Sequence, residues 1–108
     1  MSEERAMAGA TKHDSTKVKL EFLPYDALEE VTRAIESGNT AYGARDWERG
    51  MSYSRLFGAA CRHLCVEWWQ KRSRSDRDSG RSHLAHAAAC ILMLLAYELR
   101  RIGTDDRP

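Results

Sequence analysis

Eleven consecutive residues, Ala87 to Tyr97, contain no charged side chain. On a helix turning about 100 degrees per residue, Ala88, Ile91, Leu92, Met93, Leu94 and Leu95 point in every direction. A helix without a polar face is normally buried all round, and a chain of 108 residues has little else to cover it. The missing cover is expected from further copies of the same chain. The same run falls well short of the roughly 20 residues that a membrane-spanning helix needs, so no membrane partner is expected. The fold class expected is all-α: a small bundle of three main helices with an irregular N-terminal arm, completed by homo-oligomerisation.

Local signals place the helices. Residues 1–11 are small and polar, read as a flexible arm, and the first apolar grouping is Val18, Leu20, Phe22 and Leu23 ahead of Pro24. Asp26 and Glu29 have the spacing of a capping box, which predicts a helix from about Ala27. Leu28, Val31 and Ile35 form its apolar stripe, and Gly38 with Asn39 are expected to stop it after about three turns. The three glycines and mixed charges of 38–50, around Tyr42 and Trp47, predict a structured loop. From Tyr53, the positions Leu56, Phe57, Ala60, Cys61, Leu64, Cys65 and Trp68 recur at helical spacing and predict a second helix. Residues 71–81 are wholly polar, which predicts a solvated segment or one wrapped around an anion. Ser82 then caps a third helix from His83 to about Arg101, whose basic end suits the helix C-terminus. The domain proper is expected over 12–102, with 103–108 as a tail.

Charge and cysteine usage narrow the partners. Seventeen Lys and Arg against sixteen Asp and Glu give +1, which removes the electrostatic case for duplex nucleic acid. Cys61, Cys65 and Cys90 are odd in number and lie in helical sequence, which does not suggest a disulfide framework. No hydrophobic leader is visible in the first eleven residues, so a cytoplasmic location is expected.

Three groups of side chains could carry chemistry. His83, His86 and Cys90 share one helix face and, with Cys61, Cys65 or His63, contain enough ligands for zinc. Buried cysteine and hydrogen-bonded histidine are the ordinary reading of the same residues. Carboxylates gather at Asp26, Glu29, Glu30, Glu36, Asp46, Glu48 and Glu67. Glu29 and Glu30 are the candidates to hold magnesium, although acids in a first helical turn also simply complement the dipole. Arg62, Lys71, Arg72, Arg74, Arg77 and Arg81 offer guanidinium forks and an ammonium to phosphate, or just solubilise a linker. Trp47, Trp68 and Trp69 could stack on a base, Trp68 being better placed for the core.

Several short blocks occur in a telling order: Lys12-x-Asp14-x-x-Lys17, Leu23-Pro24-x-x-Ala27-Leu28-Glu29-Glu30-Val31, Gly38-x-x-x-Tyr42-Gly43-x-x-x-Trp47, Tyr53-Ser54-Arg55, Arg62-His63-Leu64, and Asp78-Ser79-Gly80-x-x-His83-Leu84-Ala85-His86. Over residues 12–97 the chain resembles the phage dATP/dGTP diphosphohydrolase N-terminal domain family. That family is similar to MazG-type all-α nucleoside triphosphate pyrophosphatases. The resemblance implies a nucleotide partner, self-association, and hydrolysis of a purine (deoxy)nucleoside triphosphate to monophosphate and pyrophosphate with Mg2+ or Mn2+. It implies catalysis by Glu29, Glu30 and His63, and metal ligation by Glu29, Glu30 and Asp76. Nucleotide contacts would come from Lys12, Asp14, Lys17, Tyr42, Trp47, Arg55, Arg62, His83 and His86.

Some positions depart from the family pattern. Asn39, Thr40 and Ala41 stand where lysines occur, Asp46 where an asparagine precedes the tryptophan, and Thr16 and Cys90 replace a Gly and an Asn. The alternative is a catalytically inactive binder that needs no cofactor. Such a sponge would sequester a nucleotide immune signal, for example a cyclic or ADP-ribose-derived messenger.

Overall fold

A computed structural model describes residues 9–13 and 15–108. Three helical stretches dominate: α1 (Tyr25–Tyr42), α2 (Tyr53–Cys61, running on as a π-helix over Arg62–Gln70) and α3 (His83–Arg100). Short 3-10 turns occupy Leu20–Phe22 and Asp46–Arg49. No strand forms among the described residues, so the all-α expectation holds. None of their helices is long and apolar enough to cross a membrane. Most of the 1–11 arm, residues 1–8, lies outside the described residues, and the apolar group Val18, Leu20, Phe22 and Leu23 beyond it is exposed.

α1 starts earlier and ends later than the sequence suggests. Pro24 precedes the first turn, Asp26 Oδ1 accepts only from the adjacent Ala27 N–H at 2.7 Å, and Glu29 turns to Arg33 instead of closing a capping box. Gly38 stays helical. The Ser37 and Thr40 hydroxyls donate back to the carbonyls of Ala34 and Glu36, at 2.6 and 3.3 Å, which satisfies these polar side chains within the helix. The stop comes at Gly43, whose φ of 99° only glycine adopts cheaply, with its N–H on the Asn39 carbonyl at 2.7 Å.

The second helix departs from regular winding at Arg62. Lys71 N–H reaches back five residues to the Val66 carbonyl at 3.0 Å, the signature of π winding. Of the apolar positions expected inside, Leu56 and Ala60 are buried, whereas Phe57, Leu64 and Cys65 are exposed. The inward line instead continues through half-buried His63 and Glu67.

α3 packs against α1, α2 and the π segment. Its buried residues are mostly alanines, Ala85, Ala87 and Ala89, with His83 and Tyr97, while Ile91, Leu92, Leu95 and Leu99 are exposed. Small side chains let the backbones approach, and Ile91, Leu92, Leu95 and Leu99 are left on the outer face. Tyr97 is the largest fully buried side chain. Its ring stacks between Trp47 and Tyr53, at 6.1 and 6.2 Å between centroids, and its hydroxyl donates to the Trp47 carbonyl at 2.5 Å.

Residues 103–108 fold back onto the start of α2. Thr104 exchanges backbone hydrogen bonds with Met51 and Tyr53, at 3.2 and 2.9 Å. Asp106 accepts from the Ser54 N–H at 2.9 Å and from the Ser54 hydroxyl at 2.5 Å, so a carboxylate from the far end of the chain caps α2 while Ser52 makes no side-chain cap. Gly103 permits this approach: at φ +81°, a Cβ there would lie 2.7 Å from the Met51 carbonyl oxygen.

Candidate functional site

Ser82 caps α3 as expected, its hydroxyl accepting from Leu84 and Ala85 N–H at 3.0 and 3.3 Å. That start places His83 inward and His86 one turn on. The π segment brings His63 opposite them. His63 Nδ1 and His83 Nδ1 lie 2.9 Å apart, and the His63 ring stacks on His86 at 4.7 Å with 13° between planes. His83 is 3% exposed, and its Nε2 faces Glu67 Oε1 at 4.0 Å.

The polar segment 71–81 is a built turn. His83 N–H bonds to the Arg74 carbonyl at 2.8 Å, Asp76 N–H to the Arg81 carbonyl at 2.7 Å, and Gly80 N–H to the Asp76 carbonyl at 2.8 Å. Asp76 Oδ2 accepts from the N–H groups of Asp78 and Ser79 at 3.1 and 3.0 Å. This is the local pairing that makes Asp a turn residue. Ser79 Oγ accepts from Arg81 N–H and shares a 2.7 Å hydrogen bond with His86 Nε2. With one lone pair taken, its hydroxyl hydrogen is available to an unprotonated imidazole nitrogen.

Electrostatics favour the neutral form of His63 and His86 beside one anion. Burial lowers the His63 pKa, and the neighbouring His86, His83 and Arg62 push the same way against Asp76. Burial also lowers His86, with Asp76 opposing. Burial works against the Asp76 carboxylate, yet the Ser79 and Asp78 backbone groups and the adjacent histidines outweigh it and hold Asp76 below the usual carboxylate range.

Two clefts meet at His63. One, about 680 Å³, is lined by Tyr42, Trp47, His63, Asp78, Ser79 and His86. The other, about 310 Å³, has Arg62, Lys71, Arg77, Asp76, His63 and His83 on its walls. Blocks from 38–47, 62–63, 76–79 and 83–86 thus converge. A third and wider cleft, about 1270 Å³, is lined by Glu30, Trp68, Trp69, Arg72, Arg74 and Ser82 and shares Ser75 with the smaller of the two.

The structure therefore divides the expected site residues. Tyr42, Trp47, Arg62, His63, Asp76, His83 and His86 line the paired clefts. Glu30 opens on the wide cleft, and exposed Glu29 pairs with Arg33 at 2.7 Å, so Asp76 stands with histidines and apart from these two carboxylates. Lys12, Lys17 and Arg55 are exposed and line none of the three clefts, and Asp14 lies outside the described residues. Trp68, expected in the core, is half-buried on the wide cleft. His83, His86 and Cys90 do not converge as a ligand set; Cys90 is half-buried, and burial raises its pKa. Ser79 and Glu67 acquire roles that sequence reasoning missed, although Asp76-x-x-Ser79 is a readable turn signal and Glu67 lies four residues after His63.

The chain matches the family described as dATP/dGTP diphosphohydrolase, N-terminal, over residues 7–107. A dATP/dGTP diphosphohydrolase of Salmonella phage PMBT28 is 31% identical over 96 residues, which cover 89% of this chain and 32% of that protein. The chain thus spans about a third of the length of this relative. No solved structure matches it. On the extent of the family match, which takes in every block converging on the two clefts, the chain belongs to the dATP/dGTP diphosphohydrolase N-terminal family.

Proposed function

We propose that the paired clefts bind a purine deoxynucleoside triphosphate and hydrolyse it to monophosphate and pyrophosphate. The observation that carries this reading is the division of labour at His63. The aromatic-walled cleft on one side suits a nucleoside, and the smaller cleft on the other presents Arg62, Lys71 and Arg77 to phosphates. The relative's name supplies the reaction. Hydrolysis requires a water oxygen to bond to the α-phosphorus while the α-phosphorus bond to the bridging oxygen breaks, leaving pyrophosphate. The three cations neutralise charge that grows on that leaving group, and His63 stands at the junction where the attacking water has to be held.

Magnesium or manganese would accompany the triphosphate. Glu29 and Glu30 do not complete a site for it within one chain, because Glu29 is engaged by Arg33 and no third ligand among the described residues converges on the pair. The working form is a homo-oligomer in this reading, since Ile91, Leu92, Leu95 and Leu99, the last 77% exposed, form an unpartnered apolar face on α3.

Incubating the protein with each dNTP and magnesium or manganese, then separating the nucleotides by chromatography, tests the reading. Monophosphate and pyrophosphate are expected from a purine substrate, with turnover falling more than a hundredfold in His63→Ala of unchanged helicity. Every dNTP left intact by wild-type protein would overturn it, and stoichiometric nucleotide binding without turnover would identify a sponge.

A further inference from the structure

We infer that His63, Asp76 and His83 form a binding site for one divalent transition-metal ion of the zinc type. One ligand atom from each of these residues lies within 4.8 Å of the other two, and they are the group of three potential ligands found to converge among the described residues. Around a tetrahedral ion with bonds of about 2.0–2.1 Å, ligand atoms stand roughly 3.3–3.4 Å apart. The 2.9 Å between the two Nδ1 atoms needs to open by about half an ångström, and the Asp76 oxygen, already within 4.8 Å of a nitrogen of each ring, has to settle at the same spacing.

The donor set selects the ion. Two imidazoles and one carboxylate suit zinc and its neighbours, whereas magnesium prefers an all-oxygen shell. Three protein ligands leave a position open for water or a phosphate oxygen, the arrangement of catalytic sites.

Supporting contacts are already in place. Asp76 is fixed by two backbone N–H groups, both on Oδ2, and Oδ1 takes no hydrogen bond from the described residues. Ligation through His83 Nδ1 directs Nε2–H at Glu67, 4.0 Å away, forming the carboxylate–histidine–metal relay that fixes a ligand's tautomer. Arg62, Lys71 and Arg77 ring the same cleft, so an anionic oxygen is the group to occupy the open position. Only this last role rests on the nucleotide reading. The ion's binding stands apart from it.

The test is titration of the chelator-treated full chain with Zn2+ by calorimetry, without nucleotide, together with the visible spectrum of the Co2+-loaded protein. One ion per chain and the intense absorption of a low-symmetry cobalt site are expected. His63→Ala and Asp76→Asn should each weaken zinc by a hundredfold or more, and Glu67→Gln by about 10- to 100-fold. Cys90→Ser should change nothing. Because His83 is buried and its loss can unfold the chain, the decisive variants are those at His63 and Asp76, each checked by circular dichroism. Failure of the wild type to bind zinc stoichiometrically, or unchanged affinity in both variants, overturns the site. Zinc binding without dNTP turnover would instead refute the hydrolase reading and leave the metal site standing.

Discussion

Replacing Tyr97 by Phe keeps the ring between Trp47 and Tyr53 and removes only the hydroxyl that donates to the Trp47 carbonyl. Leaving that part-buried acceptor without its donor should cost about 1–2 kcal/mol. Tyr97→Ala also empties a side-chain volume that is 0% exposed, and removing a buried aromatic in this way costs about 3–5 kcal/mol. Against a total stability of about 5–15 kcal/mol, the first change leaves the chain folded and the second brings it near the threshold. Urea unfolding followed by tryptophan fluorescence reads both directly, because Trp47 is one of the stacked rings. Protomer concentration must be held constant so that self-association does not enter the comparison. For a domain of this size the Phe variant should melt roughly 4–16 °C lower. A Phe variant as stable as wild type would show that the hydroxyl contact contributes nothing, and an equally stable Ala variant would refute Tyr97 as the centre of the core.

Other outcomes follow from single contacts. Gly103→Ala should lose about 1–3 kcal/mol, measured by the same unfolding, because the position has φ +81° and faces the Met51 carbonyl, whereas Gly38→Ala, in open helix, should gain about 0.5–1 kcal/mol. Wild-type protein is expected to self-associate and Leu92→Glu to abolish this; sedimentation showing wild-type protein as a 12.3 kDa species at micromolar concentration would reject self-association. In the proposed nucleotide reading, Arg62→Ala should weaken purine nucleotide binding by roughly ten- to a hundredfold, and unchanged affinity by calorimetry would show that Arg62 holds no phosphate. The Ser54 side-chain hydrogen bond holds the Asp106 pKa below the usual carboxylate range. Its contribution is therefore complete above that range and lost as pH falls through the lower folded value, so wild type and Asp106→Asn should converge in melting temperature in acid and separate towards neutrality.

Local rules make two of the helices legible, through the Ser82 cap of α3 and the apolar spacing from Tyr53, but not the start of α1, where the Asp26 and Glu29 capping box does not close. Gly38 misleads because glycine ends a helix only when its backbone turns to positive φ, and that turn is taken five residues later at Gly43. The π winding leaves no sequence mark, since it depends on which carbonyl the packed helix offers each N–H. The histidines are visible as His63, His83 and His86, but their carboxylate partner depends on how the 71–81 turn closes. The resemblance accordingly groups Asp76 with Glu29 and Glu30, whereas the potential co-ligands that the fold brings to Asp76 are His63 and His83.

The Asp106 cap also carries a time. α2 receives that ligand from a residue made 52 positions after Ser54. At about 5–20 residues per second of synthesis, the start of the helix waits roughly 3–10 s for its cap. During that interval α2 is a nascent segment with a frayed end, open to chaperones and to the apolar faces of neighbouring copies. Slower decoding between Ser54 and Asp106 would lengthen this window without altering one atom of the finished protein.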